Sequence, residues 1–211
     1  MDRPEVGILI PAFNEEATIG EVVSKVSKYG LPIVVNDGSS DQTSAIAKDN
    51  GACVVDLKEN KGYNQAIWEG FKKGEALGVE KMISIDADGE HDPVFLKDFI
   101  EGLDEVEMVI GIRPKKQRFT EVVMGSYFKW KYGVEDILCG FKGYRTYLFS
   151  NHGGFESDTI GTGLSLNALK HSCSFMQIPV RGRPRDGKPR FGAKIKGNWL
   201  IFKAFLKMIK R

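Results

Sequence analysis

The chain is poor in cysteine, with only Cys53, Cys139 and Cys173 among 211 residues. An odd number at these wide spacings fits neither a disulfide framework nor a zinc site, so reduced thiols in a cytoplasmic setting are expected. Long apolar runs are also lacking. The first apolar stretch, Val6 to Ile10, stops at Pro11, too short for a secretory leader. Nothing approaches the roughly 20 consecutive apolar residues of a spanning helix. Nor is there an excess of one charge: 30 basic against 28 acidic residues leave +2, which weighs against a general nucleic-acid binder. Internal repeats and composition breaks are missing too. What remains is 42% apolar and 27% charged, the make-up of one folded domain long enough to bury its own core.

Short apolar runs alternate with longer, helix-like stretches. Val6–Ile10, Ile33–Val35, Ala52–Asp56, Lys81–Ile85 and Met108–Gly111 read as strands. Helices are expected over Glu15–Lys28, from Asp41 as N-cap, over Asn64–Leu77 and over Phe119–Tyr132. Further on, Ser157–His171 reads as a helix and Phe175–Val180 as a strand. Near-continuous apolar strands between helices predict an α/β fold, a mainly parallel sheet covered on both faces. Ligands in such sheets bind beyond the carboxyl ends of strands. Three polar clusters fall at those ends: Asn14-Glu15-Glu16, Asn36 to Asp41, and Asp86 to His91.

The last cluster carries the clearest chemistry. Asp86 and Asp88, one residue apart after a strand, can turn their oxygens toward one divalent cation. Magnesium is commonly held by one or two carboxylates plus substrate phosphates, and the metal neutralises charge on a departing diphosphate. The competing reading is a solvated turn. A basic Gly/Pro-rich stretch, Arg181 to Arg190, offers the complementary half: Arg183, Arg185, Lys188 and Arg190 can close over phosphates. Its competing reading is a solvated charge run.

Six motifs in order carry a resemblance. Pro11-Ala12-Phe13-Asn14-Glu15-Glu16 is similar to an opening P-X-[YF]-N-E, and Val34 to Thr43 to V-D-D-G-S-X-D-X-T. Asn60-Lys61-Gly62 with Ala66 resembles N-X-G-X-X-X-A, and Ile85 to Pro93 the metal motif D-A-D-X-Q-H-X-P. Val109 to Arg113 matches V-X-G-X-R, and Asp136 to Arg145, around Gly140-Phe141-Lys142, resembles D-X-X-X-G-F-[RK]-X-[YF]-R. Together they resemble a family 2 glycosyltransferase of the GT-A fold, closest to its polyprenyl-phosphate (dolichyl-phosphate) sugar transferase branch.

The resemblance implies an inverting enzyme that moves a hexose from a UDP- or GDP-hexose to a polyprenyl phosphate, with Mg2+ or Mn2+. It implies that Pro11, Phe13 and Glu15 line the nucleotide pocket and that Asp37 contacts base or ribose. Asp86 and Asp88 would approach metal and diphosphate, with Glu90 as a further metal contact. Arg113 and Arg118 stand where acceptor-phosphate arginines stand, and guanidinium forks suit phosphate. Asn36 replaces the first Asp of D-D-G-S, and the D-G-K-P-R-F-G loop keeps the basic character but not the register, so Lys188 and Arg190 carry over loosely. Pro11 and Phe13 also fit ordinary core and turn roles, and Glu15 a helix-start carboxylate.

A phosphate acceptor needs no strong base. A hydroxyl acceptor on a glycan or small molecule would need one, with Asp136 the first candidate and a hydrogen-bonded loop residue its alternative. A non-catalytic nucleotide-sugar-binding or membrane-scaffold protein is a third reading. Gly197 to Arg211 reads as an amphipathic helix, with Lys196, Lys203, Lys207 and Lys210 along one side and Trp199, Phe202 and Phe205 among the apolar remainder. It suits a membrane interface or packing on its own domain. The expected division is a catalytic domain over residues 1–193 and this helix over 194–211, peripheral on the cytoplasmic face of a membrane.

Overall fold

A computed structural model of the chain describes residues 4–114, 119–151 and 162–181. The expected GT-A-type α/β architecture is what it shows. Seven strands, β1 (Val6–Ala12), β2 (Leu31–Asn36), β3 (Cys53–Asp56), β4 (Lys81–Ser84), β5 (Met108–Ile112), β6 (Lys142–Arg145) and β7 (Phe175–Pro179), form one sheet. Their order is β3-β2-β1-β4-β6-β5-β7. All neighbours are parallel except β6, which runs antiparallel to both β4 and β5.

Alternation along the strands sorts the core onto two faces. Leu9, Ile33, Val35, Met82 and Ile110 lie on one, packed with Phe71 of α3 (Tyr63–Ala76) and Phe128 of α5 (Phe119–Tyr132). Ile8, Ile10, Val34, Ile83 and Val109 lie on the other, under Val22 and Val23 of α1 (Ile19–Val26) and Phe99 of α4 (Leu96–Glu105). With both faces covered, the central strands read as unbroken apolar runs.

Helix α2 (Thr43–Asp49) follows the second polar cluster, and α6 (Tyr147–Asn151) and α7 (Gly163–Lys170) precede β7. Most expected elements appear within a residue or two of their bounds. Two starts differ. Helix α1 begins at Ile19 rather than Glu15, because the main chain before it is bonded across the loop. The N–H groups of Glu15 and Glu16 go to Thr43 Oγ1 (2.8 Å) and Asp41 Oδ2 (3.2 Å). Asp41 is also not the cap position: that place falls to Gln42, whose side chain makes no capping bond. Asp41 does the work from one residue further out, accepting from Thr43 N at 3.0 Å. Of the expected helix Ser157–His171, residues 163–170 are helical, and 152–161 lie outside the described residues.

Strand β6 was not expected. Lys-Gly-Tyr-Arg lacks both an apolar run and clean alternation, yet it pairs on both sides, Lys142 opposite both Ser84 and Ile110.

The first two polar clusters interlock. Asn14, with φ +54°, donates its N–H to Ser39 Oγ and accepts from Ser40 N through Oδ1, both at 2.9 Å. Asn tolerates this left-handed conformation better than most residues. Gly38 has φ +70°, and a Cβ there would lie 2.5 Å from the Glu59 carbonyl carbon. Strain and overlap act together at Gly38, so Gly38→Ala is expected to lower unfolding free energy by about 2 kcal/mol, read by urea denaturation.

Candidate functional site

The site opens where β1 and β4 stop pairing. Leu9 O accepts the Ile85 N–H at 3.0 Å. Alternation turns the backbone of position 11 to the same side, and Pro11 has no N–H to continue the ladder. The ladder ends there, and the chain from Asp86 onward leaves the sheet.

Ala87 is buried between Asp86 and Asp88, which are each half-buried. Asp86 Oδ2 lies 3.3 Å from His91 Nε2. Burial alone would raise the Asp86 carboxyl, but the hydrogen bond and charge of His91 outweigh it and hold it below its ordinary value. Burial would likewise lower His91, and Asp86 outweighs it, so the imidazole is shifted up. The His91 ring leans on Phe141 at 5.3 Å between centroids, and Phe141 stacks on Phe99 at 4.3 Å. Asp88 Oδ1 accepts the Glu90 N–H at 3.1 Å, which fixes the turn.

Behind Asp86 stands Gly140. A Cβ at that position would fall 2.7 Å from Asp86 Oδ2 and 3.0 Å from Oδ1, so only glycine lets the carboxylate sit where it does. The turn is bolted to both neighbours: Ser84 Oγ donates to Gly140 O at 2.8 Å, and Gly111 N to Phe141 O at 2.9 Å. The pair offers two carboxylates, hard oxygen donors, at one strand end. Among the described residues no third His, Cys, Asp or Glu joins them in a group arranged to hold an ion, and Glu90 does not complete one. Such a pair suits a magnesium-like cation whose other positions go to water and phosphate oxygens.

The remaining donor-side candidates gather nearby. Pro11 is buried, Glu15 half-buried, and Phe13 exposed at the tip of β1. Glu15 Oε2 accepts from Thr18 Oγ1 at 3.1 Å. Asp37 is buried and its oxygens accept the N–H groups of Lys61 (2.8 Å) and Gly62 (2.9 Å). It thereby ties the β2 loop to the start of α3. Asn36, in place of an aspartate, donates to Asp56 Oδ1 at 2.9 Å, and a carboxylate in its place would face that carboxylate instead.

At the end of β5, Arg113 forks onto Asp136, with Nε 2.7 Å from Oδ2 and Nη2 2.8 Å from Oδ1. Its Nη2 also reaches Glu121 Oε2 at 3.5 Å. Nη1 has no acceptor among the described residues, and Arg113 lines an open cleft of about 500 Å³ with Ile112, Pro114, Val122 and Lys129. Arg118, Lys188 and Arg190, and the expected 194–211 helix, lie outside the described residues.

Three residues without an assigned role also converge here. His91 pairs with Asp86, as above. Lys142 is buried, and burial pushes its ammonium down to about 8 against the nearby charges of Asp136 and Asp86. Burial first, then the Asp86 charge, push the Tyr63 hydroxyl well up, so it stays a neutral donor. His91 and Lys142 stood inside quoted motifs. Tyr63 followed Asn60-Lys61-Gly62, which gave no cue that its hydroxyl would feel the Asp86 charge.

Burial would raise Asp136, but Arg113 outweighs it and holds the carboxyl below its ordinary 3.8. A depressed carboxyl stabilises the fold above that value, and the gain is lost as pH falls through the lower folded value. Asp136→Asn is expected to cost about 3 kcal/mol at pH 7, since it strands a largely buried guanidinium. The gap to wild type should narrow below pH 3.8, measured by urea denaturation across pH.

With this geometry in place, comparisons with known proteins identify the chain. A UDP-N-acetylglucosamine–dolichyl-phosphate N-acetylglucosaminyltransferase of Methanococcus voltae is 31% identical over 132 residues, 53% of each chain. A polyprenol monophosphomannose synthase of Mycolicibacterium smegmatis is 24% identical over 206 residues, covering 85% of this chain and 77% of that one. The fold is shared with glucosyl-3-phosphoglycerate synthase of Mycobacterium tuberculosis, solved with Mn2+, UDP-glucose and phosphoglyceric acid. That match has a TM-score of 0.79 at 20% identity, over 97% of this chain and 78% of that one. The model of the family described as glycosyl transferase family 2 matches residues 7–155, and the chain belongs to that family.

Proposed function

We propose that this glycosyltransferase moves a hexose from a UDP- or GDP-hexose onto a polyprenyl phosphate, with inversion. The observation that carries the reading is the Arg113–Asp136 pair. Asp136 gives both oxygens to one guanidinium and has a depressed proton affinity, which makes it a poor base toward a hydroxyl. A phosphate acceptor is already ionised and needs no base. Arg113 keeps its Nη1 edge for such a phosphate beside the cleft. The Methanococcus dolichyl-phosphate N-acetylglucosaminyltransferase and the Mycolicibacterium polyprenol monophosphomannose synthase support the same class of acceptor.

In this reading Asp86 and Asp88 would hold Mg2+ or Mn2+ on the donor side. The bound ion supplies Lewis-acid neutralisation of the departing diphosphate. His91 keeps Asp86 ionised and oriented, and Gly140 leaves room for its carboxylate. Pro11, Phe13, Glu15 and Asp37 shape the nucleotide side, and Lys142 adds positive charge beneath the gap between donor and acceptor. Arg118, Lys188 and Arg190 extend the phosphate-binding charge. In-line attack from the Arg113 side places the acceptor oxygen opposite the leaving diphosphate and accounts for inversion.

The decisive assay offers labelled UDP- and GDP-hexoses with polyprenyl phosphate or hydroxyl acceptors, with and without Mg2+ or Mn2+. A lipid-extractable product that needs the phosphate acceptor is expected. Product formed only on a hydroxyl acceptor overturns the reading. Asp88→Asn should lower metal-dependent turnover at least a hundredfold, about 3 kcal/mol in the barrier. Arg113→Lys keeps the charge and loses the fork. It is expected to lower kcat/KM for polyprenyl phosphate about tenfold while hydrolysis of the donor by water stays near wild type.

A further inference from the structure

Helix α5 has a face left uncovered among the described residues. Met124 and Phe128 point into the core, whereas Trp130 is 82% exposed, Val122 46% and Val123 41%. Residues 122, 126 and 130 are spaced four apart, and 123, 127 and 130 four and three, so one surface stripe carries them all. Lys129 and Lys131 flank Trp130. The Lys131 ammonium stands 5.6 Å from the centre of the Tyr127 ring and 5.2 Å from that of Tyr132.

From residue 113 to 131 the sequence holds the cations Arg113, Lys115, Lys116, Arg118, Lys129 and Lys131 against one acid, Glu121. Glu121 is buried against Arg113. Lys129 meets Glu135 at 2.7 Å and Arg113 is held by Asp136, so the sequence's excess positive charge is carried by Lys115, Lys116, Arg118 and Lys131. One edge of the same stripe, at Val122 and Ser126, joins Gly125 in lining the Arg113 cleft.

We propose that this outer face of α5 rests on an anionic lipid bilayer. An exposed tryptophan between lysines, beside valines and a tyrosine, is what the water–lipid boundary favours: apolar bodies enter while charged heads remain with phosphates. Positive charge before and after the stripe matches an anionic surface. Continuity with the cleft gives the surface a use. A lipid phosphate lying in the bilayer reaches Arg113 by moving along α5, without leaving the membrane. This use rests on the polyprenyl-phosphate reading; the bilayer contact does not.

The test uses the full chain with Trp68→Phe and Trp199→Phe, so that Trp130 is the only tryptophan. Phosphatidylcholine vesicles with and without phosphatidylglycerol, bearing brominated acyl chains, serve as probes. Trp130 emission should shift to the blue and be quenched, with at least tenfold tighter binding to the phosphatidylglycerol vesicles. Val123→Ser with Trp130→Ser, in the wild-type background, should weaken co-sedimentation at least tenfold. It should lower kcat/KM on vesicle-embedded polyprenyl phosphate to match and leave turnover of a short, water-soluble isoprenyl phosphate unchanged. Vesicle binding without quenching of Trp130 overturns the proposal, since another segment then makes the contact. Concentration-dependent dimers that shield Trp130 and do not bind vesicles overturn it as well. Failure of transfer to both acceptor forms defeats the functional reading instead, and quenching still decides the bilayer contact.

Discussion

Everything at the site depends on one short antiparallel strand wedged between parallel ones. Strand β6 hydrogen-bonds β4 on one side and β5 on the other. In doing so it carries the Gly140-Phe141 turn to the back of Asp86, and the segment before it carries Asp136 to Arg113. The Asp86 and Asp88 carboxylates follow β4 and the Arg113 guanidinium follows β5, which are not neighbours in the sheet. Without β6 the two halves have no fixed separation. Catalysis by positioning tolerates little slack, and bonds from Ser84 Oγ and Gly111 N to that turn remove it.

The charges around this wedge are arranged in pairs before any substrate arrives. Asp86 has His91, and Asp136 has Arg113. Burying ions costs several kcal/mol each unless partners replace water, so the pairs keep a concentrated polar site compatible with folding. They also bias protonation: both carboxyls are shifted toward the ionised form and the imidazole toward the charged one. Under the proposed function, a phosphate or diphosphate then meets groups already biased toward their charged forms. Lys142 is the exception: burial lowers its ammonium to about 8, and an incoming anion would raise it again.

The strands and their carboxyl-end clusters were legible because buried parallel strands must be apolar and the turns after them must be polar. Asp86, Asp88 and Arg113 were legible for the same reason, each standing just beyond a strand end inside an ordered motif, and Asp136 was legible from its motif alone. Helix α1 starts later than its sequence suggests because Thr43 and Asp41, some 25 residues on, take the bonds of its first turn. Strand β6 was invisible because a central strand held by two ladders can carry Lys and Gly when ladder bonds and a neighbouring charge network compensate. The roles of His91 and Tyr63 stayed hidden for a similar reason, since nothing in sequence says which polar residue will be buried beside a carboxylate.

By itself, the sequence determined the α/β class, the covered mainly parallel sheet, the polar loops beyond it and the family motifs. Local pattern suffices there, because burial on both faces and turn chemistry act residue by residue. Only the tertiary structure decided that Gly140 backs Asp86, that Asp136 is captured by Arg113, and that Trp130 stands uncovered beside the cleft. These are relations between segments distant along the chain. Their geometry is set by the strand order β4-β6-β5, which no local pattern encodes.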